Sequence, residues 1–184
     1  MSRLFVPAPH GYRIVTVIPS GGALLEIYLR DHHAAACAGV AIARRVAARE
    51  LPASNGAPLR QVATEIEADL RSLEGLMAIV GVQPSRVKDT LARVIERAGR
   101  LKLNGRVVRH SPLSDVVELE TLVVGITGKE ALWESLRGVD GIPQDELQTL
   151  IERAQDQRQI VERCRRAATR RAFAATSTST SPSS

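Results

Sequence analysis

Two carboxylates stand where a carboxylate is costly. Glu118 and Glu120 lie in Leu113-Ser114-Asp115-Val116-Val117-Glu118-Leu119-Glu120-Thr121-Leu122-Val123-Val124, the most apolar stretch of the chain. An unpaired charge buried on such a stripe costs several kcal/mol or more, so these acids must be solvated, paired with a cationic side chain, or bound to a metal ion. The opposite chemistry gathers at Arg97, Arg100, Lys102, Arg106, Arg109 and His110, around Asn104-Gly105 and just before Ser111-Pro112. Guanidinium forks beside the free N–H groups of a helix start attract anions, which makes this run a candidate for phosphate-backbone or other anion contacts. Aromatic residues are only 3% of the chain, too few for base stacking, and no helix-turn-helix spacing is evident. Solvated or intrabundle charge is therefore the plainer reading of the run. Nucleophilic catalysis has no support, because the sequence holds neither a Gly-x-Ser-x-Gly elbow nor a Gly-rich phosphate loop.

These residues need rods to carry them. From Gly22 to Leu51, Leu25, Leu29, Ala36, Gly39, Ala43 and Val46 recur at three and four, predicting a long helix whose inner face also carries His32. His32 reads as a hydrogen-bonded core residue, or alternatively as a ligand, and His33 as a surface residue. Pro52 to Pro58 reads as a loop, and Leu59, Val62, Ala63, Ile66, Leu70, Leu73, Met77 and Val80 predict a second helix stopped by Gly81. Pro84 opens a shorter, basic helix through Val87, Leu91, Val94, Ile95, Ala98 and Leu101, ending at Asn104-Gly105. Ser111 and Pro112 read as N-cap and first residue of the apolar helix that runs to about Leu136. Pro143 opens the last helix, which continues to Phe173.

With 184 residues, 44% of them hydrophobic, the chain is long enough for one core. The expected organisation is an N-terminal arm over residues 1–21, partly extended or disordered, with a short strand at Arg13 to Ile18 as one option. A helical domain follows over 22–173, then a Ser/Thr-rich tail over 174–184 that cannot bury enough surface to order itself. Cys37 and Cys164 have no zinc-type spacing, and no leader or spanning segment is recognisable, so the expectation is a cytoplasmic protein with free thiols and no membrane partner. Charge is segregated. Arg86 to Arg109 carries eight basic residues against two acids, whereas Asp115 to Glu134 carries five acids against Lys129. Acidic and arginine-rich helices would then pair across the bundle through bidentate forks.

Four long helices with a short one between the two pairs, and an acid on each long helix, resemble the ferritin-like bundles, in particular bacterial stress-associated proteins of the YciF type. The local likenesses are Leu73-Glu74 followed by Met77, Val80 and Gly81, and the Glu-rich helix ending near Trp133. The chain is also similar to a set of small actinobacterial helical proteins with a Tyr-Leu-x-Asp-His segment, here Tyr28 to His32. They share a Gly-Arg-Leu-Lys-x-Asn-Gly-Arg segment, here Gly99 to Arg106, and Ser-Pro-Leu-Ser, here Ser111 to Ser114. That second likeness implies no activity.

The ferritin-like resemblance implies an all-α, up-down four-helix bundle with a short extra crossover helix, in which the apolar helix is covered by the first, second and last. Its di-metal pattern maps onto Glu26, onto Glu65 with Asp69, onto Glu118 or Glu120, and onto Glu152 with Gln155. The pattern is incomplete: no Glu-x-x-His occurs, and glutamine, a poor iron ligand, stands at 155. His32 or His33 would have to supply nitrogen from the first helix. The expectation is thus a bundle without a complete ferroxidase site and without a cofactor, more binding protein than enzyme, acting by assembly or partner contact, in stress conditions if the likeness carries that far. The alternatives are a divergent carboxylate site for an Fe, Mn or Zn pair, and RNA or DNA backbone binding through Arg97 to Arg109. The small residues Ala34, Ala35, Ala36, Ala38 and Gly39 suit either a homodimer or close internal packing.

Overall fold

The computed structural model describes residues 3–8, 11–16, 21–49, 53–84 and 112–174. At the N-terminus, β1 (Arg3–Ala8) and β2 (Gly11–Thr16) form an antiparallel hairpin in register from Arg3↔Thr16 to Ala8↔Gly11. The strand expected at Arg13 to Ile18 is therefore β2, shifted two residues towards the N-terminus and paired rather than a lone arm.

Four helices follow: α1 (Gly21–Ala47), α2 (Ala53–Ile79), α3 (Pro112–Ser135) and α4 (Gln144–Ala174). The periodic apolar stripes explain all four. One correction concerns the segment 52–58, expected as a loop. Residues 53–58 already belong to α2, with Pro58 in its second turn. Pro58 has no N–H for the Ser54 carbonyl, a cost that is offset by the burial of Leu59 and Val62 in the same stretch of helix. Beyond Pro84, the short basic helix expected to run to Leu101, the cationic run Arg97 to Arg109, the Ser111 cap and the tail after Ala174 lie outside the described residues.

Packing arranges the helices as a four-sided bundle in the order α1, α2, α4, α3, so that α1 faces α4 and α2 faces α3 across the diagonals. Every neighbouring pair is antiparallel. The start of α1 meets the end of α3 at Tyr28 and Ser135, and the end of α1 meets the start of α3 at Arg49 and Asp115. The chain thus runs up, down, down, up, rather than in simple alternation, and α3 begins at the end of the bundle opposite to the one where α2 stops. The apolar helix α3 is accordingly flanked by α1 and α4 alone, not also by α2. Its outward side keeps Leu113 and Val124 exposed.

The core is aliphatic, built from Leu29, Val62, Leu73, Leu76, Met77, Leu147, Leu150 and Val161, with Trp133 as its largest member. At the C-terminal end of α2, Gly81 adopts φ +72° and the Val82 N–H donates to the Met77 carbonyl at 2.8 Å. This left-handed C-cap closes the helix and tucks Val82 into the core. Arg30 then holds the departing chain by donating to the Gln83 carbonyl at 3.1 Å.

Candidate functional site

Three helices place a polar residue on their core-facing stripe at one level of the bundle. In α2, Asp69 falls between Ile66 and Leu73; in α3, Lys129 falls between Ile126 and Trp133; in α4, Gln157 falls between Ala154 and Val161. Each is separated from its buried neighbours by three and four residues, the spacing that puts side chains on one helix face. Asp69 is 2% exposed and Gln157 fully buried.

Lys129 crosses the diagonal to reach Asp69. Its Nζ donates to Asp69 Oδ2 and, at 2.6 Å, to Gln157 Oε1. Gln157 Nε2 in turn donates to Asp69 Oδ2 and to Glu65 Oε2, each at 3.1 Å. The amide can point only this way, because reversing it would set an NH2 against the ammonium and a carbonyl against two carboxylates. Arg153 pairs with the other oxygen, Asp69 Oδ1, and Gln61 Nε2 donates to Glu65 Oε1 at 2.8 Å. Two carboxylates, one ammonium and one guanidinium cancel in charge, which is the condition for holding ions in a low-dielectric interior. Burial pushes the Lys129 ammonium below the ordinary lysine range; the charge and hydrogen bond of Asp69 oppose that shift, Arg153 adds to it and Glu65 opposes it.

The remaining acids of the di-metal pattern are not brought to this locus. Glu26 pairs with Arg30 one turn along α1 at 2.6 Å. Glu118 sits at the α1–α3 seam, where Arg45 Nε donates to it at 2.9 Å and Arg49 grips both it and Asp115. Glu120 is half exposed, with Arg165 3.5 Å away. Glu152 accepts from Gln148 at 2.7 Å, and Gln155 donates to Glu130 at 3.0 Å. Glu65 and Asp69 alone are joined, through Gln157. Among the described residues, no three His, Cys, Asp or Glu side chains are grouped so as to hold a metal ion.

His32 lies half-buried, edge-on to Tyr28 with ring centroids 4.5 Å apart, and burial lowers its pKa against the opposing charge of Asp31. It is His33, expected at the surface, that is buried, at 4% exposure. A helix face wide enough to pack on two neighbours takes in adjacent residues, and His33 points to α2, where its Nε2 meets Glu74 Oε1 at 3.1 Å. Cys37, one turn on, has its sulfur 4.0 Å from both ring nitrogens. Burial and the Glu74 charge raise its thiol pKa, so it is held as the unreactive thiol. Cys164 is likewise free and buried, its pKa raised by burial.

Lys129, Arg153 and Gln157 are the site residues that the sequence reading missed. For Lys129 and Gln157 the available signal was a polar residue interrupting an apolar stripe; Arg153, off the stripe of its helix, had none.

Set against protein-family models, curated proteins and solved structures, the chain matches none of them. Among the described residues, no helix is long and apolar enough to cross a membrane.

Proposed function

We propose that this protein is a ferritin-like bundle that works by contact, with further copies of itself or with a protein partner, and not by metal chemistry. One observation carries the reading: the interior position that a metal cation would take among inward-facing acids is taken by the Lys129 ammonium. It satisfies Asp69 directly and, through Gln157, is linked to Glu65. A bound cation in that place would have to displace an ammonium already paired and hydrogen-bonded, at the cost of leaving it buried beside the newcomer. The outer acids have also found partners: guanidinium groups for Glu26, Glu118 and Glu120, glutamine for Glu152. What remains for function is surface, and the exposed Leu24, Ile27, Leu113 and Val124 on α1 and α3 are apolar material for contacts. The di-metal reading and binding of nucleic acid through Arg97 to Arg109 stand as the alternatives.

The test is metal analysis of the full chain purified without chelator, then offered Fe(II), Mn(II) or Zn(II), with sedimentation of the same sample. The expected result is no stoichiometric metal and association that grows with concentration or on adding a partner. A metal pair per chain, lost on Asp69→Asn, would overturn the reading.

A further inference from the structure

The N-terminal hairpin carries backbone groups that its own ladder does not use. Ala8 and Gly11 are paired with only two residues between them, and so short a closure requires that this pair exchange both of its hydrogen bonds. Alternation along the ladder then makes Val6↔Arg13 and Leu4↔Val15 the other hydrogen-bonded pairs. The backbone groups of Arg3, Phe5 and Pro7 in β1, and of Tyr12, Ile14 and Thr16 in β2, are therefore turned away from the neighbouring strand. The sheet has two strands, and among the described residues no helix packs against either. We propose that β2 pairs antiparallel with β2 of a second copy about a twofold axis at Ile14, joining two hairpins into one four-stranded sheet.

The two edges of the hairpin are not equivalent. On β1 the outward position of Pro7 has no N–H to donate, the usual way in which an edge strand is closed to further pairing. On β2 the edge is complete, because Tyr12, Ile14 and Thr16 each bring both an N–H and a C=O. Laid antiparallel on itself, Ile14 meets Ile14 of the second copy, and Tyr12 meets Thr16 on either side, so that all three pairs exchange hydrogen bonds reciprocally. The same operation on β1 would centre on Phe5 and set each Arg3 against a Pro7, losing a bond on both flanks. Charge is also kept apart: in the β2 register Arg13 falls opposite Val15 of the second copy, and the two cations do not meet.

Residue types agree with a wider sheet. By register Phe5, Tyr12 and Ile14 share one face of the hairpin, and Leu4, Val6 and Val15 share the other. A lone two-stranded hairpin is marginal in water, whereas further strands extend both apolar faces and remove an open edge. The inference rests on the reading of this protein as one that works by contact, and it commits that contact to a second copy through strand addition.

Sedimentation of the full chain over a range of concentrations tests it, with Ile14→Pro and Phe5→Pro as variants. Phe5 and Ile14 are cross-strand partners, so each substitution removes one outward N–H and one apolar residue while leaving the hairpin's own hydrogen bonds in place. The native chain is expected to dimerise. Ile14→Pro should weaken the dimer by at least about tenfold, through the two bonds lost at its centre, and Phe5→Pro should leave it within about twofold. Residue-resolved amide exchange of the native chain should show Ile14 protected at high concentration and released on dilution, with Phe5 open throughout. Circular dichroism checks that the helices are unchanged in both variants. An equal loss of dimer in both variants would overturn the proposal, since the edge would then not be what matters. Association untouched by Ile14→Pro would overturn it as well, while leaving a protein that acts by contact through another surface. A native chain that stays monomeric would also overturn it, and the contact reading would then be decided by metal content and by added partner.

Discussion

The middle of the bundle and the outer edge of α4 use the same chemical groups to different ends. At the middle, Asp69 is enclosed by an ammonium, a guanidinium and a glutamine amide drawn from two other helices. On the edge, Glu162 is held by Arg165 at 2.7 Å and Arg166 at 2.8 Å, both one turn away on its own helix. The inner pairings tie α2, α3 and α4 to one axial register, because a slip of any helix strands a charge in aliphatic surroundings. The Glu162 pairings tie α4 to itself, with Arg165 reaching Glu120 of α3 only at 3.5 Å, and water replaces them when they break. Burial, rather than the number of ionic contacts, decides which acid matters to the fold.

The largest effect is expected from breaking the inner set. Asp69→Ala leaves Lys129 and Arg153 without their anion and should cost about 3–5 kcal/mol, a fall in Tm of roughly 10 °C for a chain of this size, read by thermal denaturation. A loss no greater than that of an exposed acid would erase the distinction between the two regions.

A smaller, pH-confined effect belongs to the edge. Hydrogen bonds from Arg165 and Arg166 hold the Glu162 carboxyl down at about 2, against an ordinary 4.5. Since the folded pKa is depressed, the contribution to stability is full above the ordinary value and is lost as pH falls through the folded one. Glu162→Gln should therefore match the native chain near pH 2 and fall slightly below it above about pH 5, by less than about 1 kcal/mol for so open a group. Denaturant titrations at the two pH values check the sign. A deficit that appears only in acid would reverse the assignment.

Helix positions were legible in the sequence because the apolar residues of each segment repeat at three and four. Residues such as Leu73, Leu122 and Val161 announce the inward face before any neighbour is known. Axial register was not legible. Asp69 and Lys129 are 60 residues apart, and Asp69 and Gln157 are 88 apart. Periodicity fixes the rotation of each rod about its own axis but says nothing of its height against the next. Lys129, close to Gly125 and Gly128, has the local signature of a solvated lysine, and only the height of α3 against α2 brings it onto Asp69. The same gap placed Glu118 in the interior, when the ends of α1 and α3 coincide and Arg45 and Arg49 meet it at the seam. His33 was misread for a related reason: a stripe identifies the centre of a face, not its width.

The central claim is that Lys129 and Asp69 act as one unit across the bundle, and a double-mutant cycle measures it. Unfolding free energies of the native chain, Asp69→Asn, Lys129→Met and the double variant give the coupling directly. A coupling of about 1–3 kcal/mol, with the double variant no worse than the poorer single one, is the expected result. Additive losses would mean that the ammonium and the carboxylate do not depend on each other, and would contradict it.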